Sequence, residues 1–428
     1  LPLLTLVIGA WGVAAEEVAT QPVVAAARRA GLRVLEGRHL ILITDRPVRA
    51  DDGVENLPQI FDEAFAVWCD HFQVDGPTVN SWRAVGCLMV DRQPFQAAGL
   101  LPTDGTIPPF QNGFCDRNRF WLIDHPNPAY RRHLLLHEGV HACSLTLRSL
   151  STPTWYTEGI AELLATHRLR AGRFESTPIP QQASDVEQLG RIEKLLSLRR
   201  SGDVPGLEEV LATPPDRHHA LASYAASWAA VAMLSGHPAY AKTFRDLEAG
   251  PLDANLTQRL EQAPGWNADQ AARDFDAFTA EVDYGYDFLA SAIDWSPGRP
   301  LVAASQMTVA ADRGWQNSGW SLRQGDRLAV VANGRCRVGA VAEGPIETEP
   351  EGISLAWYRG RPVGRLLVAQ WLPAASGGGR PQWKILAEGS RGKCVAVADG
   401  PVYCKINESP GALADNTGTL SVILKPLN

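Results

Sequence analysis

From about Pro128 the apolar residues recur at helical spacing. Leu136, Val140, Cys143 and Leu147 fall at i, i+4, i+7 and i+11 and mark one stripe of a helix. A second helix is expected from about Trp155 to His167, with Ile160, Leu163 and Leu164 on its buried side, and others near residues 186–199, 219–235 and 268–292. Ahead of them stand three strand candidates, His39 to Asp45, Val85 to Asp91 and Gly113 to Asp124. Each is a short run of Leu, Ile, Val or Trp closed by an aspartate. Residues 16–37 read as a helical lead-in rich in Ala and Arg. At Ser296-Pro297-Gly298-Arg299-Pro300 both regular periods break, and residues 296–300 read as a linker. Beyond it helical spacing disappears and short strands take over: Arg327 to Ala332, Pro401 to Asn407 and Thr419 to Leu424. In the last, Leu420, Val422 and Leu424 alternate with Ser421 and Ile423, as a strand with one buried face allows. The pattern predicts an α+β domain over residues 38–295 and an all-β sandwich over 301–428. A chain of 428 residues is in any case too long for one ordinary core.

The first residues belong to neither domain. An apolar run from Leu1 to Val13 is followed by Ala14, Ala15, Glu16 and Glu17. Small residues closing an apolar stretch ahead of charges read as the end of a signal peptide, with residues 1–15 its remnant. A buried N-terminal helix is the alternative. The run is short of the ~20 apolar residues a membrane helix needs, and no later segment qualifies as a span. The expectation is a soluble, exported protein: secreted, periplasmic or at the cell surface. Net charge is -7, with no Lys/Arg block, so nucleic acid is not the expected partner. The seven cysteines include no CxxC, which argues against a cysteine zinc site. Their odd number leaves at least one thiol free or paired with another chain.

The chemistry concentrates at His137-Glu138-Gly139-Val140-His141. Residues four apart share a helix face, so two imidazoles can converge on one zinc ion while Glu138 reaches a water beside it. A catalytic zinc takes three protein ligands and keeps one position open, and two His with one Glu is a known set. The third ligand is assigned to Glu158, in Trp155-Tyr156-Thr157-Glu158-Gly159-Ile160-Ala161-Glu162. His133 extends the spacing by one turn and leaves a shifted register of ligands open, although only 137 and 141 bracket a glutamate. His125, His218 and His219 read as surface or loop histidines.

These two helices resemble the gluzincin clan of zinc metallopeptidases, particularly bacterial members with a W-x-x-E-G-x-A signature. The resemblance implies a thermolysin-like zincin fold, Zn2+ held by His137, His141 and Glu158, Glu138 as general base, and a peptide or protein substrate. It also implies that Glu162, one turn past the third ligand, orients a zinc-bound histidine, a role some branches give to aspartate. Several gluzincins place an oxyanion-stabilising tyrosine on a later helix. Tyr224, in Ser223-Tyr224-Ala225-Ala226-Ser227-Trp228, is the candidate, with a core tyrosine as the other reading. The strand Arg117 to Asp124 is the one expected to pair with an extended peptide, again carried over from the family.

In the C-terminal region, Asn407-Glu408-Ser409-Pro410-Gly411-Ala412-Leu413-Ala414-Asp415-Asn416-Thr417-Gly418 is a polar loop able to supply oxygens to Ca2+. With the Gly325-Asp326 turn, it resembles the calcium-dependent galactophilic bacterial lectin. That resemblance implies side-chain ligands from Glu408, Asp415 and Asn416 and backbone carbonyls from Ala412 and Val338, with a glycan as partner. Glu408 replaces the family's aspartate, and nothing near Glu349-Pro350-Glu351-Gly352 matches its sugar-contacting histidine and glutamine. An acidic loop that merely forms a turn is the plain alternative. Two functions remain: a zinc peptidase targeted by its sandwich, or a non-catalytic calcium-dependent binding protein on a vestigial zincin scaffold.

Overall fold

The computed structural model describes residues 20–49, 53–186, 190–214, 221–341, 344–373 and 381–427. The signal-like residues 1–15 and His218 and His219 lie outside these. The chain divides into two compact units, with the boundary after Ser149. The first is α/β in character; the second is helical and then all-β.

The first unit runs α1 (Thr20–Arg29), β1 (Arg33–Glu36), β2 (Leu40–Thr44), α2 (Leu57–Phe72), α3 (Pro77–Ser81), β3 (Ala84–Met89), α4 (Gln93–Ala97), β4 (Gly113–Asp116), β5 (Arg119–Ile123) and α5 (Pro128–Leu147). The sheet order is β1-β2-β3-β5-β4. Strands β2, β3 and β5 are parallel, and the antiparallel β1 and β4 form the edges. Because side chains alternate, Ile41, Ile43, Val85, Cys87, Met89 and Trp121 share one face, where they pack with Ala27 of α1 and with Phe95, Leu100 and Leu101. On the other face Phe120 stacks on Phe61 of α2.

Two expectations change here. The helical lead-in contains β1 as well as α1, because Arg33–Glu36 pairs residue for residue with Ile41–Thr44. The stretch Gly113 to Asp124 is a hairpin, not one strand: it reverses at Arg117, whose φ is +54°. The edge strand is therefore β4, and β5 is interior.

The second unit begins with α6 (Thr154–Ala165), the hairpin β6 (His167–Arg170) and β7 (Arg173–Ser176), then α7 (Arg191–Ser201), α8 (Leu207–Leu211), α9 (Leu221–Gly236), α10 (Ala241–Ala249), α11 (Leu256–Glu261), α12 (Ala268–Glu281) and α13 (Phe288–Ser291). It continues with β8 (Arg299–Pro300), β9 (Ser305–Ala310), β10 (Gln316–Leu322), β11 (Arg327–Asn333), β12 (Cys336–Val341), β13 (Gly344–Thr348), β14 (Glu351–Tyr358), β15 (Arg361–Leu372), β16 (Gln382–Glu388), β17 (Arg391–Val395), β18 (Gly400–Ile406) and β19 (Thr417–Leu427). One sheet has the order β14-β15-β18-β10-β8, with β16 on β15. The other is β13-β12-β19-β11-β17, with β9 on β19. Leu328, Val330, Leu366, Val368, Val402, Leu420, Val422 and Leu424 share a buried core. The alternation read in β19 is the one that folds inward.

The stretch 296–300 is tied down. Asn317 Nδ2 donates to Asp294 O (2.9 Å) and Ser296 O (2.8 Å), and Arg299–Pro300 pairs with β10. Sandwich and helices also meet through charge. Lys405 Nζ lies 2.9 Å from Glu281 Oε2, and Arg359 Nη1 lies 2.8 Å from Glu281 Oε1. Lys405 is 4% exposed, so its ammonium depends on that partner.

Burial opposes the charge of Glu281, but Lys405 and Arg359 outweigh it and hold the carboxyl below its usual 4.5. The stabilisation is therefore present above that pH and lost as pH falls through the lowered value. Lys405→Met is expected to move acid unfolding to higher pH, followed by tryptophan fluorescence; an unmoved transition would show that the pair adds no stability.

Candidate metal centre

Helix α5 is fixed at its first turn. Asn127 Oδ1 accepts from Ala129 N (2.8 Å) and Tyr130 N (3.1 Å), and Pro128 supplies a preset φ. Arg131, 1% exposed, donates from Nε to Asp124 Oδ1 (2.5 Å) and from Nη2 to His125 O (2.8 Å). Arg46, beyond the end of β2, pairs with the other oxygen of Asp124. Charge-assisted bonds of this kind are short and directional. They fasten the end of β5 to the start of α5, so the helix is set on the sheet before its histidines are reached.

About two and three turns further on stand His137 and His141, both buried, with Nε2 atoms 3.1 Å apart and ring planes at 87°. Gly139 between them leaves room for the α2 aromatics: a Cβ there would lie 2.5 Å from Phe61 Cε2. Glu138, also buried, reaches toward β4, where a Cβ on Gly113 would lie 2.4 Å from its Oε1. Cys115, two residues along the same strand, feels it too: burial and then the Glu138 and Asp116 carboxylates hold its thiol well above the usual value. The edge strand thus runs beside the glutamate.

In the second unit α6 carries Glu158 and Glu162, and α9 carries Tyr224. The two helices touch backbone to backbone, since a Cβ on Gly159 would stand 2.4 Å from Ser227 O. Glu162, 2% exposed, is held by both prongs of Arg191 from α7. The same guanidinium lies 5.8 Å from the centre of the half-buried Tyr224 ring.

The ligand atoms of His137, His141 and Glu158 all lie within 4.8 Å of one another; those of His133, His137 and Glu162 meet the same limit. This His/Glu cluster could hold a metal ion. Two nitrogens each about 2.0–2.1 Å from a tetrahedral ion would be roughly 3.3 Å apart, close to the spacing seen for the two imidazoles. The donor set is two imidazoles and a carboxylate, which suits a borderline cation.

Arg191, Arg131 and Gly113 were not among the expected residues. Arg191 lies 29 residues from Glu162, and no local pattern links them. His125 lies in the β5–α5 loop, where its Nδ1 accepts from Asn127 N (3.1 Å).

The β18–β19 loop gathers a second set. Asn416, 3% exposed, donates from Nδ2 to Glu408 Oε2 (2.7 Å) and Ala311 O (3.1 Å), while its Oδ1 is buried with no hydrogen-bond partner. Burial, with help from the nearby Asp415 charge and against the pull of Asn416 and Lys405, pushes the Glu408 carboxyl up to about 7. Asp415 Oδ2 faces the bulge of β12 at Gly339, next to Val338; Ala412 lies within the loop itself. An unpartnered amide oxygen beside two carboxylates in a desolvated pocket fits a cation.

No protein-family model and no curated protein matches this chain. Solved structures that match include the EclA N-terminal domain, a PllA-like lectin, at 19% identity over 30% of this chain and 98% of that one, with a TM-score of 0.21. Another is Aeromonas hydrophila PliG, a periplasmic lysozyme inhibitor of g-type lysozyme, at 11% identity over 32% of this chain and 100% of that one, with a TM-score of 0.19. Likenesses this slight bear on neither fold nor ligand. Among the described residues, no helix is long and apolar enough to cross a membrane.

Gly113→Ala should destabilise the chain by about 1–3 kcal/mol in urea unfolding, the usual cost of overpacking. In a Glu138→Ala background most of that cost should vanish. If the full cost persists there, the contact with Glu138 is not its source.

Proposed function

We propose that the chain is a zinc-dependent peptidase of the gluzincin type, with a thermolysin-like arrangement of its N-terminal helices and sheet. The observation that carries this reading is the buried pair of Nε2 atoms on α5, with a glutamate between them in sequence and a Glu158 ligand atom within 4.8 Å of those of both histidines. His137, His141 and Glu158 would hold the ion. A zinc ion held there would supply a Lewis acid able to acidify water and polarise a carbonyl. Glu138 takes a proton from the attacking water and delivers it to the leaving amine. The Tyr224 hydroxyl donates to the developing oxyanion. The place of Tyr224 under Arg191, which also clasps Glu162, supports its being held in one orientation. Strand β4, rather than β5, offers the free edge for an extended substrate, with Glu138 beside it.

The sandwich is read as a calcium-holding module for targeting or glycan binding, with Glu408, Asp415 and Asn416 as side-chain ligands and the Val338 and Ala412 carbonyls completing the set. The orphaned Asn416 Oδ1 supports it. Export to the periplasm, cell surface or medium goes with this reading.

Metal analysis of the purified chain should return one zinc, kept in Glu138→Gln while hydrolysis of a peptide library collapses. Zinc binding without hydrolysis in either protein would favour the non-catalytic scaffold, and hydrolysis by Glu138→Gln would remove Glu138 as base. Tyr224→Phe is expected to lower kcat about 10²-fold with zinc occupancy unchanged; an unaltered kcat would exclude its hydroxyl. Calcium should raise the melting temperature of the chelator-treated chain but not of Asn416→Leu, and equal responses would dismiss the loop site.

A further inference from the structure

A cavity lies on the α1 face of the first unit's sheet. It measures about 180 Å³ and is walled by Pro22, Val23 and Ala26 of α1 and by Ala98–Leu100 after α4. Its floor is two pairs of facing residues on parallel strands, Val85 with Arg119 and Cys87 with Trp121. The indole of Trp121 is locked by its Nε1 donating to Leu100 O (2.8 Å), so the floor is rigid. Burial pushes the Cys87 thiol up to about 12, only slightly offset by the Arg119 charge, so this side chain is a neutral, apolar part of the wall.

Arg119 is the exception in that lining. Its Nε is buried with no hydrogen-bond partner, and among the described residues no carboxylate pairs with it. A guanidinium is always charged, and a buried donor left unsatisfied is costly. By contrast, the buried Arg131 shares Asp124 with Arg46. A cavity near ~150 Å³ with apolar walls accepts a ligand the size of benzene. Size and charge together define the missing partner.

We propose that this cavity binds a small organic monocarboxylate, its apolar body of about six carbons lying against Trp121, Val85 and Ala26 and its carboxylate paired with Arg119. The site is separate from the His/Glu cluster and does not depend on the peptidase reading.

The test follows the Trp121 indole resonance by NMR in the full chain, titrated with hexanoate, hexanol, acetate and inorganic phosphate. Hexanoate should give a saturable shift, at least about tenfold tighter than hexanol, acetate or phosphate, in keeping with a charge-assisted contact plus apolar burial. Arg119→Gln should cut hexanoate affinity by at least tenfold and bring it to the level of hexanol. Ala98→Leu, which leaves the charge in place and narrows the mouth, should weaken hexanoate while leaving phosphate unchanged. Absence of a saturable hexanoate shift, equal binding of hexanol, or undiminished binding in either folded variant would overturn the proposal.

Discussion

Two imidazoles are held 3.1 Å apart at their Nε2 atoms inside a helix that is otherwise packed into a core. Both rings are buried, with their Nε2 atoms converging on one point, so the arrangement suits a shared acceptor of lone pairs. Keeping it requires a rigid helix. Asp124, bridging Arg131 and Arg46, supplies rigidity at the start of α5, and the edge-to-face pair Phe61 and Trp68 of α2 supplies it along the middle through the gap at Gly139. Glu138 lies beside β4 in the room that the missing side chain at Gly113 leaves.

Where an interaction is local, the sequence announced it. The i, i+4 histidines and the apolar stripe all lie within one helix, so periodicity was enough to place α5. The inward face of β19 was equally legible, because Leu420, Val422 and Leu424 repeat at the period of a strand. The hairpin at Arg117 was not legible: Asp116-Arg117-Asn118 contains no glycine or proline, and a positive φ at arginine leaves no mark in composition. For the same reason β1 was absorbed into a helical lead-in, since four residues are too few to set a period. The pairings that stiffen the site are distant in sequence. Arg46 reaches across 78 residues to Asp124, and Arg191 across 29 to Glu162, and no single-sequence pattern connects such partners.

Arg191 changes how Glu162 is understood. As the residue one turn past Glu158, it was expected to orient a histidine, and its ligand atom does lie within 4.8 Å of those of His133 and His137. A carboxylate clasped by a bidentate guanidinium is fixed in plane. The same guanidinium on the Tyr224 face ties two expected site residues to one cation, which explains why both can be ordered on different helices.

The sandwich is bonded to the helical part, not merely strung after it. Glu281 at the end of α12 meets Lys405 of β18 and Arg359 beside β14, and Tyr358 donates to Asp283 at 3.0 Å. Asp287 N donates to Pro410 O (3.3 Å), which joins the 407–416 loop directly to the chain that leaves α12. Buried charges do not tolerate separation, because each would be left uncompensated. A segment that swung freely about residues 296–300 would strand Lys405 and Glu281 together. The sandwich and helices therefore act as one body, and whatever the 407–416 loop binds is held at a fixed place relative to α12.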